Sequence, residues 1–435
     1  MKYFFQTLTF LCGLVTAAHF LRFGNAWEAL AIFLFTLATC KSYLVPRPIL
    51  FLAALGAGFF WTHETITLVQ LRITMDLPWI RLVVILGAVC LAHFSLALLI
   101  LGRTGEKSIG VINGRTWVRT IVFLLSGGIL FFITQKAPLP ILLGVRFFPE
   151  SGLFWITLFA LYGGVIANLL LSPQAAQTRS LMWSFFSLVF FGQLLLGLAG
   201  FDQLLMTGNL HLPVPALIIA GPLFRGTGFF MPILVGVTLI LVGSAWCSHL
   251  CYIGAWDDRL ARLGPGKPQP LPAWAPKARL LILLGTLLIP PMLRFMDIPW
   301  TIALTLAMIF GVVGVIIMVF WSRRTRTMTH CTLWCPIGLL NNLVGRFMPW
   351  RIRISPQCTG CGLCTKACRY NALTPLNLAQ KKPGLTCSLC GDCLPRCPHG
   401  HLGYYFPGLS SLAARSVFVV LVTTLHTIFL AVARI

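Results

Sequence analysis

Eight of the fifteen cysteines in this 435-residue chain fall in one stretch and keep a regular rhythm. Cys358, Cys361, Cys364 and Cys368 step by three, three and four residues; Cys387, Cys390, Cys393 and Cys397 repeat those steps, with Pro398 next. Thiolates at this spacing hold a pair of four-iron, four-sulfur cubes, and the fourth cysteine of each run ligates the other run's cube. The expected sets are therefore Cys358, Cys361, Cys364 and Cys397 for one [4Fe-4S] cluster, and Cys387, Cys390, Cys393 and Cys368 for the second. Three such thiolates wrap a tight loop round one cube face, and Gly360, Gly362 and Gly391 let the backbone come close. Structural zinc is the competing reading, because Cys-x-x-Cys pairs also suit it, but four ligands would leave two further pairs unexplained. Disulfides fit less well, since the surrounding basic charge puts the stretch on the reducing side of a membrane. The chemistry expected here is one-electron transfer.

A second constellation is a hidden repeat. The run Cys247-Ser-His-Leu-Cys251-Tyr-Ile-Gly254 to Pro265 lies over Cys331-Thr-Leu-Trp-Cys335-Pro-Ile-Gly338 to Pro349 without a gap. Both cysteines, the Ile-Gly, Arg262 with Arg346, and the final prolines coincide, and Asp257-Asp258 faces Asn341-Asn342. Cysteines four apart on a helical turn share one face, so Cys247, Cys251, Cys331 and Cys335 could converge on a third iron–sulfur site. Two structural thiol pairs, or a redox-active dithiol, are the alternatives. His249 and His330 stand beside these cysteines as ligands, as donors to ligands, or as ordinary hydrogen-bonded histidines.

The elements that must position these cysteines are membrane helices. Hydrophobic residues make up 57% of the chain and charged ones only 10%, far below the share in a soluble domain. Lys and Arg number 33 against 10 Asp and Glu; with so little charge in total, the positive-inside rule explains that excess better than nucleic-acid binding does. No cleavable signal peptide is evident, and the N-terminus reads as the first span. Apolar runs near 4–22, 27–45, 48–62, 80–101, 117–134, 153–171, 181–199, 229–247, 278–296, 300–321 and 412–433 predict about eleven transmembrane helices. The run at 48–62 is short, and the segment with Pro213, Pro215, Gly221 and Pro222 reads as a broken or re-entrant piece. Basic residues such as Lys41, Arg47, Arg103, Lys107, Arg115, Arg119, Arg179, Arg259 and Arg262 alternate with loops carrying Glu28, Glu64, Asp76, Glu150, Asp202 and Asp297. This places the N-terminus and the cysteine-rich stretch in the cytoplasm and the C-terminus in the periplasm of a bacterial inner membrane.

The expected fold is thus an all-α polytopic membrane protein with a small α+β two-[4Fe-4S] domain inserted before its last helix. Four regions follow: seven helices of unassigned function over 1–228, helices carrying the two Cys-x3-Cys motifs over 229–350, the ferredoxin-like domain over 351–405, and a C-terminal helix over 406–435. The Pro-rich linker from Leu263 to Pro276 reads as an extended crossing.

Over about 229–400 the chain resembles the NapH/MauN/NosR-type membrane polyferredoxins, in which two Cys-x3-Cys-Pro motifs precede a two-cluster ferredoxin module. It departs from them at Tyr252 and Arg369, where proline is the commoner residue, without losing a ligand. Region 1–228 has no counterpart there, and no threonine-rich motif for covalent flavin is seen. The resemblance implies a quinol-dehydrogenase type of electron-transfer subunit, with lipid, quinone and other subunits of a membrane redox complex, iron–sulfur or cytochrome proteins, as partners and no nucleic acid. The alternatives are a metal-reducing assembly factor for a respiratory oxidase, against which only Met75 and Met206 stand in external loops, and a redox-sensing transporter. Weaker candidates are His63, Glu64 and His93 for a quinone, and His93 and His426, near mid-bilayer, for a haem, a quinone hydrogen bond or a helix–helix hydrogen bond; His19 lies at the end of an apolar helix. Cys12, Cys40 and Cys90 read as small buried apolar residues, and Arg323, Arg324, Arg326, Arg351 and Arg353 as a positive-inside flank.

Overall fold

A computed structural model describes residues 2–39, 45–105, 114–137, 139–204, 212–264 and 266–433. Cys40, Lys41, Lys107, Met206 and Pro265, used in the sequence reading, lie outside the described residues. The chain forms two compact units, Met1–Asn168 and Leu169–Ile435. The sequence reading drew its boundary at 228 instead; the helix that makes the difference carries Arg179, whose buried partners all lie further along the chain.

The first unit contains α1 (Lys2–Arg22), α2 (Ala26–Thr39), α3 (Arg47–Thr74), α4 (Ile80–Gly105), α5 (Gly114–Lys136) and most of α6 (Gly152–Leu170). Helix α3 opens behind Pro46, with Pro48 in its first turn where no N–H is missed. It runs 28 residues, not the short 48–62 expected, because the polar pair His63 and Glu64 continues the helix instead of ending it. Glu64 stands 3.8 Å from His19 of α1 and 3.9 Å from His63, so its carboxylate finds partners inside the bundle.

The second unit holds α7 (Ala175–Leu198), the short α8 (Leu217–Arg225), α9 (Phe230–Val242), α10 (Tyr252–Leu263), α11 (Ala275–Phe295), α12 (Trp300–Ile316), α13 (Arg323–Thr325), α14 (Pro336–Gly345), α15 (Pro375–Ala379) and α16 (Ser411–Val432). Among the described residues nine helices are long and apolar enough to cross a membrane, and the chain is a multi-pass transmembrane protein. The two expected spans outside those nine are α1 and α2; α2 has only 14 residues. The Pro-rich piece expected to be broken is α8, nine residues long with Pro222 inside it.

Between α14 and α16 the chain leaves the helices through β1 (Arg351–Ile354) and returns through β2 (Leu402–Tyr405), an antiparallel pair with Ile352 opposite Tyr404 and Ile354 opposite Leu402. Alternate residues turn inward, so Ile352, Ile354, Leu402 and Tyr404 are buried. They meet Val235, Leu239 and Val242 of α9 and Ala414, Phe418 and Val422 of α16 in one apolar core, which also takes in Cys247, Cys364 and Cys393. The Ser410 hydroxyl accepts from the Ala413 N–H at 3.3 Å and caps α16. The small domain is therefore fastened by strands at both ends and packed on α16, which follows it, and on α9, which comes far earlier in the chain.

Candidate iron–sulfur centres

The ferredoxin-like stretch is almost all turn. Gly360, Gly362 and Gly391 take φ of +73, +73 and +76°, the left-handed turns expected for loops closing on a cluster. Two backbone N–H groups point at sulfur: Ala372 donates to Cys368 Sγ and His401 to Cys397 Sγ, each at 3.3 Å. Lys381 donates to the Cys358 carbonyl.

Cys368, Cys387, Cys390 and Cys393 line one pocket together with Ile352, Tyr370, Ala372, Leu373 and Pro383. Those are the four cysteines expected to share a cube, with the crossed fourth ligand among them. Cys364 lies in electrostatic reach of Cys397, Cys358 and Cys361, the other expected set. Cys331 is likewise in reach of Cys335, Cys251 and Cys247. The first of these sets lines a shared pocket, and the other two are mutual electrostatic neighbours. Among the described residues no three His, Cys, Asp or Glu side chains converge on a single-ion site.

The residues present fit iron–sulfur cubes. Burial pushes the thiols of Cys335, Cys368, Cys387 and Cys390 up to about 12, so without metal they keep their protons at neutral pH, and loading these sites releases them. Cys368 and Cys387 pack against the apolar core, whose low polarity strengthens charge interactions with their sulfurs.

The repeat is visible in the backbone. Each copy is a single π-helical turn, Trp246–Leu250 and His330–Trp334, ended by its second cysteine in an extended conformation. Cys251 has φ −83° and ψ 116°, Cys335 φ −72° and ψ 116°, and each then starts a helix, α10 or α14. The Cys251 N–H reaches back to the Trp246 carbonyl at 3.0 Å, and the Cys335 N–H to the His330 carbonyl at 2.8 Å. Such one-turn widenings of a helix recur at functional sites. The glycines explain their shared positions: a Cβ on Gly254 would stand 3.1 Å from the Cys247 carbonyl oxygen, and one on Gly338 would press still harder on that of Cys331.

Hydrogen bonds tie this site to the ferredoxin-like domain. The Tyr370 hydroxyl donates to the Cys247 carbonyl at 2.8 Å; the Ser244 and Ser248 hydroxyls donate to the carbonyls of Cys387 and Ser388, each at 2.8 Å. Beneath them lies a buried charge network. Arg179 of α7 clasps Asp392 with Nε and Nη2, both at 2.7 Å, donates to Asp258 at 3.1 Å, and reaches the Ser248 carbonyl at 3.0 Å. Arg262 closes the ring onto Asp258 and Asp392. Burial opposes ionisation of Asp258, but Arg179 and Arg262 outweigh it and hold its carboxyl below the usual carboxylate range. Asp392 lies between Cys390 and Cys393, so this network joins the second cube's loop to the helix that follows Cys251. Arg279 of α11 is also buried, within electrostatic reach of Cys247, Cys331 and Cys335.

Sequence reasoning missed Arg179, Asp392 and Asn341. Arg179 was read only as a basic flank, although an arginine beside an apolar run, with aspartates standing among cysteines elsewhere, is the signal that could have found it. His249 is buried, with Nδ1 2.9 Å from the Ser248 hydroxyl, and the His426 ring bonds the His249 carbonyl at 3.1 Å. His330 is buried at the head of the second π turn against Gly314. In the first unit, His93 engages Thr16 at 3.2 Å through Nε2 and the Val89 carbonyl at 2.8 Å through Nδ1, so both ring nitrogens are taken. Trp61 donates to the same Thr16 hydroxyl at 3.1 Å. Glu64 meets both His63 and His19, whereas His93 bonds Thr16 and Val89. Cys12 is buried, and Cys90 is partly buried with its sulfur 3.7 Å from Thr65.

Comparison with known proteins agrees with this reading. Residues 357–402 match the model of a 4Fe-4S dicluster domain, and residues 223–270, which include Cys247 and Cys251, match that of a 4Fe-4S binding domain. The methylamine utilization ferredoxin-type protein MauN of Paracoccus denitrificans (strain Pd 1222) is 30% identical over 214 residues, 43% of this chain and 71% of that protein. The putative electron transport protein YccM of Escherichia coli (strain K12) is 26% identical over 183 residues, 37% of this chain and 51% of that protein. No solved structure matches the chain. With two cysteine-run domains of 4Fe-4S type on a multi-pass helical frame, the chain belongs to the MauN-like membrane polyferredoxins, iron–sulfur electron-transfer proteins of the membrane.

Proposed function

We propose that this protein relays single electrons between the membrane quinone pool and a respiratory redox partner through three iron–sulfur sites. The sites would be Cys247, Cys251, Cys331 and Cys335 at the membrane face, Cys368, Cys387, Cys390 and Cys393 next, and Cys358, Cys361, Cys364 and Cys397 outermost. Clusters held there would supply one-electron redox capacity. The observation that carries this reading is the direct bond from Tyr370, inside the ferredoxin-like domain, to the carbonyl of Cys247, a member of the membrane-face set. Sites so connected share one rigid frame, and the buried Arg179 network removes slack between them. The protein's own task is to hold the sulfurs, keep water out and fix the spacing.

Oxidation of a quinol releases two electrons and two protons, and the relay takes the electrons one at a time. The basic flanks favour an inner-membrane orientation with the ferredoxin-like domain in the cytoplasm and the C-terminus in the periplasm. A topology reporter placed after Ile435 should then be active outside, and one inserted near Lys381 inside.

Anaerobic quinol-driven reduction tests the relay. Cys335→Ser should abolish reduction of the ferredoxin-like clusters by quinol and leave their reduction by dithionite unchanged. Normal quinol-driven reduction in that variant would overturn the reading.

A further inference from the structure

The two copies of the cysteine repeat are alike in backbone and unlike in chemistry at one position. Six residues beyond the second cysteine, each copy reaches across to the first cysteine of the other. From the first copy, Asp257 accepts the backbone N–H of Cys331 at 2.9 Å. From the second, Asn341 Nδ2 donates to Cys247 Sγ at 3.2 Å. Both side chains are completely buried. The crossing is reciprocal, yet the Asp257 carboxyl accepts from a backbone N–H, whereas the Asn341 amide donates to a sulfur. Only the Cys247 end of the site therefore carries a side-chain donor aimed at a ligand sulfur in this pair.

Hydrogen bonds to sulfur and the local net charge are levers that set the potential of an iron–sulfur centre. A donor on a ligand sulfur favours the reduced state, which carries more negative charge. We infer that Asn341 is a positioning residue that raises the midpoint potential of the site formed by Cys247, Cys251, Cys331 and Cys335. This rests on reading those four cysteines as one iron–sulfur site. The divergence of Asp and Asn between otherwise matching copies has a use on this account. It sets the site's potential without touching a ligand, and it marks the Cys247 edge as the one where added electron density is favoured. Tyr370 and the Arg179 network approach the site from that same cysteine's turn, through the carbonyls of Cys247 and Ser248.

The test is a redox titration of the full-length protein in detergent, followed by electron paramagnetic resonance with iron and sulfide counted on each sample. Asn341→Leu should keep its iron and lower the midpoint of the membrane-face site. Asn341→Asp, which replaces the amide donor and makes the two copies alike, should lower it as well. The ferredoxin-like signals should not move in either variant. A purely structural role would not move the midpoint of a fully loaded site. Unchanged midpoints with iron retained would overturn the inference, as would a raised midpoint in either variant. If Asn341→Leu does not load, the isosteric Asn341→Asp decides. A wild-type protein with only about eight iron atoms, two four-iron centres, would instead refute the underlying site, a result distinct from unmoved potentials.

Discussion

Arg179 and Asp392, 213 positions apart in sequence, meet in a bidentate pair with both bonds at 2.7 Å, and neither side chain is more than 7% exposed. The pair places a transmembrane helix against the loop between Cys390 and Cys393. Removing one partner of such a buried pair strands the other charge and costs roughly 3–5 kcal/mol. Arg179→Met should therefore lower the thermal midpoint of the purified protein strongly, and Arg179→Lys, which keeps the charge but not the fork, should fall between. Bleaching of the visible iron–sulfur absorption on heating reads it out. A midpoint equal to wild type in Arg179→Met would show that the network contributes nothing.

Acid should attack the same place. The carboxyl of Asp258 is held below its ordinary range in the folded protein by Arg179 and Arg262, against the effect of burial. A lowered folded value means that its contribution is complete above the unfolded carboxylate value of about 4 and fades as the pH drops through the lower folded value. Stability should thus fall with falling pH on the acid side, and Asp258→Asn should be less stable at neutral pH with a flatter acid limb. An acid limb as steep in Asp258→Asn as in wild type would assign the loss to other groups.

The crossed ligation of the ferredoxin-like domain has a pairwise test. Cys368 lines a cavity with Cys387, Cys390 and Cys393, not with its own run. Cys368→Ser and Cys390→Ser should each remove about four iron atoms, and the double variant no more than that, since both belong to one cube. Cys364→Ser with Cys390→Ser should remove about eight. Equal losses from the two double variants would contradict the crossing.

Gly338 should tolerate no side chain, because a Cβ there would collide with the Cys331 carbonyl and push the π turn off its path. Gly338→Ala is expected to cost the membrane-face site its iron, about four atoms per chain. Gly236→Ala, where a Cβ meets nothing, should keep it. Equal iron in both variants would show that the turn is not set by that close approach.

Much of this was legible in the residues. The spacing of the eight ferredoxin-like cysteines named the set that now lines one cavity, because ligand spacing is a local property of the chain. The repeat was legible for the same reason, and the matching φ and ψ of Cys251 and Cys335 follow from it. The spans at 80–101 and 412–433 were found because long apolar runs have few other uses. What the sequence hid was long-range. Arg179 looks like any basic residue at a helix end until Asp392, far along the chain, is brought against it. The length of α3 was misread because His63 and Glu64 look like an end, while in the fold the helix runs on through them and Glu64 pairs with His19 and His63. The roles of Asp257 and Asn341 needed coordinates as well, since the alignment shows that they differ and not that each crosses to the other copy.

The central claim is that four cysteines from two repeat copies make one site beside two others. Iron and acid-labile sulfide should be measured per chain on protein purified without oxygen, for wild type and for Cys247→Ser, Cys251→Ser, Cys331→Ser and Cys335→Ser in parallel. About twelve iron atoms in the wild type and about eight in every one of the four variants, three four-iron centres reduced to two, is the predicted result. About eight in the wild type, unchanged by all four substitutions, would contradict it.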